Sequence, residues 1–388
     1  MDDLRVTSPL TEYNSRLNTT QNGGFVLTFA RFVVVTALSV PVAFAIACTP
    51  AASGGGGDDV AAKCVDGPRW SPGQSAFHEG THDVGLDGVE GQRVSAVDLD
   101  LDGAADLIVR KTTAGPNDTS APAAARTAWI LHNELRDGRG FVDVSAATGL
   151  FAPVAGQAAG RPGEVIAFAD IDNDGDLDAF FGVDTADGGN FGEVSEIYLN
   201  RVVESGELKF ERVDGGDVRR VGQPDFPASA VFVDFDRDGF VDLFVPEASY
   251  GSSTLEFVGD RLYRGDGSGV FTDVTDSVGM TSRPWQSLSD INGGLAYTRS
   301  WSGAACDVDG SGDPALLVGS YGRSPNHLWR NSRGLFANQS VQSGYAYDAD
   351  QTFADNQMFD CFCSQTPAPT DANCAQAQSP LIQCSPDS

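Results

Sequence analysis

Histidine, methionine and basic residues are all scarce in this chain. It has four histidines and three methionines in 388 residues, which leaves little material for imidazole-based nucleophilic or acid–base machinery. Lysine and arginine together number 25 against 54 aspartates and glutamates, a formal net charge of −29. Such a field repels phosphate backbones and anionic headgroups. Nucleic acid is therefore excluded as a partner, and a membrane is reached only through a lipid anchor. What is abundant instead is glycine, with 45 residues, and phenylalanine, with 23. That balance belongs to turn-rich, repetitive all-β domains rather than to helical bundles. The length is sufficient for one large domain or two ordinary ones.

Long apolar runs are also rare, and the conspicuous one lies near the start. "FVLTFARFVVVTALSVPVAFAIAC" runs from Phe25 to Cys48, and its uninterrupted part, Phe32 to Ala47, is 16 residues long and contains Pro41. A membrane span needs about 20 residues, so this length suits the h-region of an export signal. Asp2, Asp3 and Glu12 dilute the positive charge ahead of it, which points to a start downstream of Met1. "Ala45-Ile46-Ala47-Cys48" resembles the bacterial lipobox, in which the cysteine is lipidated and becomes the new N-terminus. An ordinary cleaved signal or a signal anchor is the alternative. The reading divides the chain into an N-terminal extension and signal peptide (1–47), a flexible linker after a lipidated Cys48 (48–69), a strand-rich region (70–350) and a Cys-rich tail (351–388). With Cys48 set aside, Cys64, Cys306, Cys361, Cys363, Cys374 and Cys384 remain. An even number in an exported chain points to disulfides of undetermined pairing. A zinc site in the tail lacks any histidine to support it.

The strand-rich region repeats itself. "VDLDLDGAADLIV" from Val97, "ADIDNDGDLDAFF" from Ala169, "VDFDRDGFVDLFV" from Val233 and the weaker "CDVDGSGDPALLV" from Cys306 begin their aspartates at Asp98, Asp170, Asp234 and Asp307, which are 72, 64 and 73 residues apart. A second motif follows in phase: "WILHN" ending at Asn133, "EIYLN" at Asn200, "RLYRG" at Gly265 and "HLWRN" at Asn331. A third begins at Phe141, Phe271 and Phe336, with a degraded copy at Phe210 and an earlier one at Phe77, so that five third motifs bracket four aspartate loops. Each unit has room for about four short strands, and units of this size must bury their faces against neighbours, as in a β-propeller.

Each complete loop places aspartates at positions 1, 3, 5 and 9 around a glycine at position 6: Asp98, Asp100, Asp102 and Asp106; Asp170, Asp172, Asp174 and Asp178; Asp234, Asp236, Asp238 and Asp242. Carboxylates at that spacing repel one another unless a cation sits between them, and a hard divalent ion takes six to eight oxygens at about 2.4 Å. An all-protein oxygen cage suits calcium better than magnesium. An EF-hand would need glutamate at position 12, where Val109, Phe181 and Val245 stand, and its flanking helices are replaced by alternating β formers. Metal-free Asp-Gly turns are the structural alternative. The fourth loop has Ser311 and Ala315 at positions 5 and 9, so a weaker or empty site is expected there, with Asp307, Asp309 and the carbonyl of Asp313 as the available ligands.

These loops and their phased partners resemble the FG-GAP/VCBS repeats of the integrin α-subunit type of propeller. "FTDVTDSVGM" after "LYRGDGSGV" is similar to the cartilage acidic protein and UnbV-like branch. The resemblance spans about residues 70 to 350. It implies an all-β fold, a β-propeller whose blades have four antiparallel strands, with calcium in a hairpin loop of each. Propellers of this family usually have seven blades, whereas the sequence shows four phased loops and none near residue 377, where the period would place a fifth. Either the ring contains divergent blades, or it is incomplete.

Little else carries chemistry. By phase, His132 takes the slot of Leu199, Arg264 and Arg330, and His78 follows Phe77 as Val142 follows Phe141, so both read as strand or turn residues; His82 and His327 have no assigned role. Arg264-Gly265-Asp266 matches an adhesion tripeptide but reads as a local version of the "LYRN" turn. The expectation is a non-enzymatic, calcium-stabilised, surface-tethered binding or adhesion module recognising a protein or glycan. Recognition is expected in the variable stretches from Lys111 and Thr281, with Trp285 and Trp301 as candidate glycan contacts. The alternatives are an exported propeller enzyme acting on polysaccharide and a structural part of an envelope assembly. Replacing Cys48 by serine should shift the protein from the membrane fraction to the soluble exported fraction, and a wild-type protein that is already wholly soluble would contradict the lipid anchor.

Overall fold

The computed structural model describes residues 79–111, 128–152, 165–183, 194–218, 225–250, 254–284, 288–348, 357–364, 372–376 and 383–384. The signal and linker, Cys48, Cys64, His78 and Trp285 lie outside the described residues. The described chain is mostly β, with few helices and no closed barrel. Its main elements are four four-stranded antiparallel sheets. The first comprises β1 (Arg93–Val97), β2 (Asp106–Arg110), β3 (Ala128–Glu134) and β4 (Gly140–Asp143). The second comprises β5 (Val165–Ala169), β6 (Asp178–Gly182), β7 (Glu196–Asn200) and β8 (Phe210–Asp217). The third is β9 (Val231–Val233), β10 (Asp242–Val245), β13 (Arg261–Gly265) and β14 (Phe271–Asp273). Between its middle strands runs a hairpin of β11 (Ser249–Tyr250) and β12 (Thr254–Phe257). The fourth sheet is β15 (Ser300–Cys306), β16 (Ala315–Ser320), β17 (His327–Ser332) and β18 (Leu335–Asn338). Each sheet is a meander in which sequential strands pair. Each aspartate loop joins its first strand to its second, and the second and third sequence motifs form the third and fourth strands.

The middle strands read as continuous apolar runs because both of their faces are covered. In β6 the adjacent Phe180 and Phe181 are fully buried on opposite faces. Phe181 packs with Ile108 and Ile130 of the first sheet, while Phe180 packs with Leu243, Val245 and Tyr263 of the third. A third cluster joins Phe244 and Leu262 to Leu316, Val318 and Trp329 of the fourth sheet. Consecutive sheets therefore stack face to face, and β9 lies beside both β5 and β15.

The third motif has a definite structural task. Ser145, Thr275 and Ser340 each accept, through their hydroxyl oxygen, the N–H of a third-strand residue, namely Ile130 at 2.8 Å, Leu262 at 2.9 Å and Leu328 at 2.9 Å. Asp143, Asp273 and Asn338, two residues earlier, accept in turn from those hydroxyls at 2.6, 2.6 and 2.7 Å. The pattern Asp/Asn-x-Ser/Thr thus satisfies a buried strand N–H that the ladder leaves open.

The Cys-rich tail is partly integrated into this scaffold. β19 (Gln383–Cys384) pairs in parallel with β12, and Phe359, Cys361 and Phe362 of the helix Gln357–Cys363 are buried. Cys363 and Cys374 form a disulfide, and Cys361 is also disulfide-bonded, which removes the thiolates that a zinc site would need. Cys306 is a free, exposed thiol, outside the expected pairing. The segment from Thr281 is not a freestanding loop. Ile291, Ala296, Thr298 and Ser300 are buried in it, and Gly294 accepts a 2.7 Å bond from Asn338 Nδ2.

Thr275→Val, which keeps the shape but orphans the Leu262 N–H, should cost about 1–3 kcal/mol of stability. Thr275→Ser should retain most of it, as measured by denaturant unfolding, and equal loss in both variants would contradict the hydroxyl's role.

Candidate metal loops

The loops share one hydrogen-bonding plan. The position-1 carboxylate accepts the N–H of the position-6 glycine, seen for Asp98 to Gly103 at 2.9 Å, Asp234 to Gly239 at 3.1 Å and Asp307 to Gly312 at 2.8 Å. The position-5 carboxylate accepts the N–H of position 7, as Asp102 does from Ala104, Asp174 from Asp176 and Asp238 from Phe240, at 2.6, 3.0 and 2.9 Å. These bonds require left-handed backbone at position 6, where the glycines have φ of 83°, 101°, 91° and 82°. Position 4 is left-handed too, at Leu101, Asn173 and Arg237 with φ of 62°, 62° and 64°. That conformation is uncommon for non-glycine residues, and Leu101 and Arg237 give no sequence sign of it.

The position-9 aspartates tie each loop to its sheet. Asp106, Asp178 and Asp242 are fully buried. One oxygen of each accepts the N–H of position 2, from Leu99 at 3.1 Å, Ile171 at 2.8 Å and Phe235 at 2.9 Å. The other accepts an N–H at the end of the third strand, from Asn133 at 2.9 Å, Asn200 at 2.8 Å and Gly265 at 3.0 Å. Burial raises all three carboxyls above the usual range, against the lowering effect of these backbone bonds, and it carries Asp178 and Asp242 up to about 7. Neighbouring loop carboxylates push in the same direction.

Five groups among the described residues bring three ligand atoms within 4.8 Å of one another. They are Asp98–Asp100–Asp102, Asp100–Asp106–His132, Asp170–Asp172–Asp178, Asp174–Asp176–Glu204 and Asp234–Asp236–Asp242. Each can hold a metal ion. Six loop carboxylate oxygens are buried with no hydrogen-bond partner: Asp98 Oδ1, Asp170 Oδ1, Asp172 Oδ1, Asp174 Oδ2, Asp176 Oδ1 and Asp236 Oδ1. Buried anionic oxygens without partners carry a heavy desolvation cost, which a bound cation removes. The residues present therefore fit a hard cation.

The expected ligands do not all converge. Asp174 stands with Asp176 and Glu204 rather than with Asp170 and Asp172, and among the described residues Asp238, Asp307 and Asp309 belong to no such group. In the fourth loop the counter-charge is supplied by the protein: Asp309 pairs with Arg330, and Asp313 with Arg237 at 2.8 Å. In the third, Arg264 Nε lies 2.7 Å from Asp236 Oδ2. His132 occupies the same slot and places Nδ1 3.2 Å from Asp100 and 3.1 Å from Asp106. Its role is thus larger than that of a simple strand residue. The sequence held this signal, because the slot before the motif-ending Asn or Gly is basic in three of the four units. Glu204, on the helical turn Val202–Ser205, lies outside the three motifs; Asp137 stands at the same offset from its motif-ending Asn in the first unit, but the third and fourth units have Gly269 and Leu335 there.

His82 is exposed and its pKa is raised by its hydrogen bond to Asp87. His327 is buried with neither ring nitrogen hydrogen-bonded; it lies 3.8 Å from Asp260 and edge-on to Trp329. Arg264 and Asp266 of the Arg-Gly-Asp tripeptide are both engaged locally, the latter accepting from Ser268 at 2.8 Å. No protein-family model and no curated protein matches this chain.

A pH dependence follows for the chelator-treated protein. Asp178 and Asp242 titrate near 7 when folded and near 3.9 when unfolded. The folded state therefore binds more protons between those values, so metal-free stability falls as pH rises from about 4 to about 7. A divalent cation replaces those protons, so its stabilising effect on the thermal midpoint should grow across that window. An equal cation effect at about pH 5 and about pH 8 would contradict this.

Proposed function

We propose that this chain is an exported, calcium-stabilised β-propeller of the FG-GAP/VCBS type that serves as a surface-tethered binding module for a protein or glycan and performs no chemistry of its own. The observation that carries the reading is the set of six orphaned, buried carboxylate oxygens in three in-phase loops. Calcium is the favoured ion because multi-aspartate loops can supply many oxygen donors and calcium accepts varied coordination geometry, whereas magnesium demands tighter octahedral geometry and keeps its waters. The first loop, with its His132 imidazole, departs most from an all-oxygen cage. Propeller architecture is supported by four-stranded meanders stacked face to face, with β9 flanked by the first strands of both neighbouring sheets, as innermost blade strands are.

The recognition surface that best fits this role lies at the fourth sheet. Trp301 of β15 is 50% exposed and Tyr321 46%. Their ring centroids are 5.3 Å apart, and the Arg299 guanidinium lies 4.7 Å from the centre of the Tyr321 ring. Two rigid, amphipathic rings beside a guanidinium form a platform on which a sugar face or a peptide side chain can stack at small conformational cost. A surface-tethered module needs such a platform to be accessible in the folded state. The Thr281 segment, by contrast, is packed into the fold, so its removal would compromise stability as well as recognition.

Trp301→Ala combined with Tyr321→Ala should abolish binding to glycan arrays or to whole cells while leaving the calcium-dependent thermal midpoint unchanged. Full binding by the double variant would remove this platform from the account. Turnover of a polysaccharide by the calcium-loaded protein would overturn the non-enzymatic reading.

A further inference from the structure

Position 7 distinguishes the second loop from the first and third. It is Ala104 and Phe240 in those two, but aspartate in the second and fourth, Asp176 and Asp313. Both aspartates occupy the same kind of seat. Asp176 Oδ2 accepts the N–H of Val203 at 3.2 Å, and Asp313 Oδ2 accepts that of Arg333 at 3.1 Å, each shortly after the end of the sheet's third strand.

Their free oxygens meet opposite surroundings. Asp313 Oδ1 has the Arg237 guanidinium at 2.8 Å. Asp176 is fully buried, and its Oδ1 has no hydrogen-bond partner. Beside it stand two more acids. Asp174 turns a buried, unpartnered Oδ2 toward no donor, and Glu204 brings an oxygen within 4.8 Å of oxygens from both aspartates. Glu204 Oε1 also accepts from Arg201 Nη1 at 2.7 Å, but Arg201 donates through Nε to Glu211 at 3.1 Å as well. One guanidinium shared between two glutamates does not neutralise the three-carboxylate seat. Where Asp313 is answered by an arginine reaching across from the third loop, Asp176 is answered by another acid. A bound cation removes the desolvation cost of such a buried, converging set.

We propose that Asp174, Asp176 and Glu204 form a second divalent-cation site in this loop, separate from the Asp170–Asp172–Asp178 group. Three carboxylates make it selective for hard, oxygen-preferring ions of the calcium class. The ion binds the loop to the helical turn that follows β7, doing by coordination what Arg237 does between the third and fourth loops. Two of its three ligands are fixed by backbone bonds, and the third, Glu204, is surface-exposed and shared with Arg201, which makes this the weaker site of the pair.

The inference rests on reading the loops as cation sites, and the experiment separates the two. The full-length protein is stripped with chelator and titrated calorimetrically with calcium chloride, alongside Glu204→Gln, Asp176→Asn and Asp242→Asn. Glu204→Gln and Asp176→Asn should each weaken one calcium-binding class by about tenfold or more, with the other classes unchanged. Asp242→Asn should affect a different class. Glu204 lies at the surface, so its variant remains informative even if Asp176→Asn fails to fold. Wild-type isotherms for both Glu204→Gln and Asp176→Asn, with a site still lost in Asp242→Asn, would overturn the second site alone. A wild-type protein that binds no calcium would overturn both readings.

Discussion

The buried carboxylate at position 9 is the constraint on which the rest of each loop depends. Asp178 and Asp242 sit at zero exposure with no basic partner among the described residues, each clamped between the N–H of loop position 2 and an N–H closing the third strand. Two backbone bonds only partly offset the cost of burying such a group, and burial holds its carboxyl well above the usual range. The clamp also fixes where position 2 points. Leu99, Ile171 and Phe235 are buried in the clusters between successive sheets. The loop chemistry at the rim and the apolar contact between sheets are therefore one structural event. Val308, the corresponding residue of the fourth loop, which has alanine at position 9, is 48% exposed.

Neighbouring loops are also joined directly. Asn200 of the second sheet donates to the Leu99 carbonyl of the first loop, and Asn331 of the fourth to the Phe235 carbonyl of the third, both at 2.8 Å. The left-handed position-4 residues reach forward: Asn173 to the Gly239 carbonyl at 3.1 Å, and Arg237 to the Ser311 carbonyl at 3.0 Å. Along this rim the negative charge is balanced in two ways. In the fourth loop Arg330 and Arg237 supply fixed positive charge, whereas the second loop carries four of the six orphaned oxygens and has Leu199 in the basic slot. The fourth loop is thus neutralised by protein cations, whereas the second leaves four carboxylate oxygens that could take a bound ion.

Much of the scaffold was legible in the sequence because it is local. Alternating or continuous apolar strands, glycine at position 6 and in-phase motifs each report short-range chemistry, and they located four repeating units with room for about four strands each, which are the four sheets. The sequence also separated the fourth loop from the others through Ser311 and Ala315. What escaped depended on contacts between distant segments. Glu204 meets Asp174 and Asp176 only because β7 returns beside the loop. Arg237 in left-handed backbone is held by partners 74 residues away in the fourth loop. The Thr281 segment reads as a variable stretch outside the repeats, yet it buries Ile291 and Ala296. The pairing of β19 with β12 joins residues that no repeat period relates.

Crystals of the full chain grown with calcium, with diffraction collected at a wavelength where calcium scatters anomalously, test the central claim most directly. The account predicts anomalous peaks about 2.4 Å from the carboxylates of the second and third loops, and none in the fourth, where Arg330 and Arg237 stand. Loops that keep the same conformation with water alone between their aspartates would contradict it.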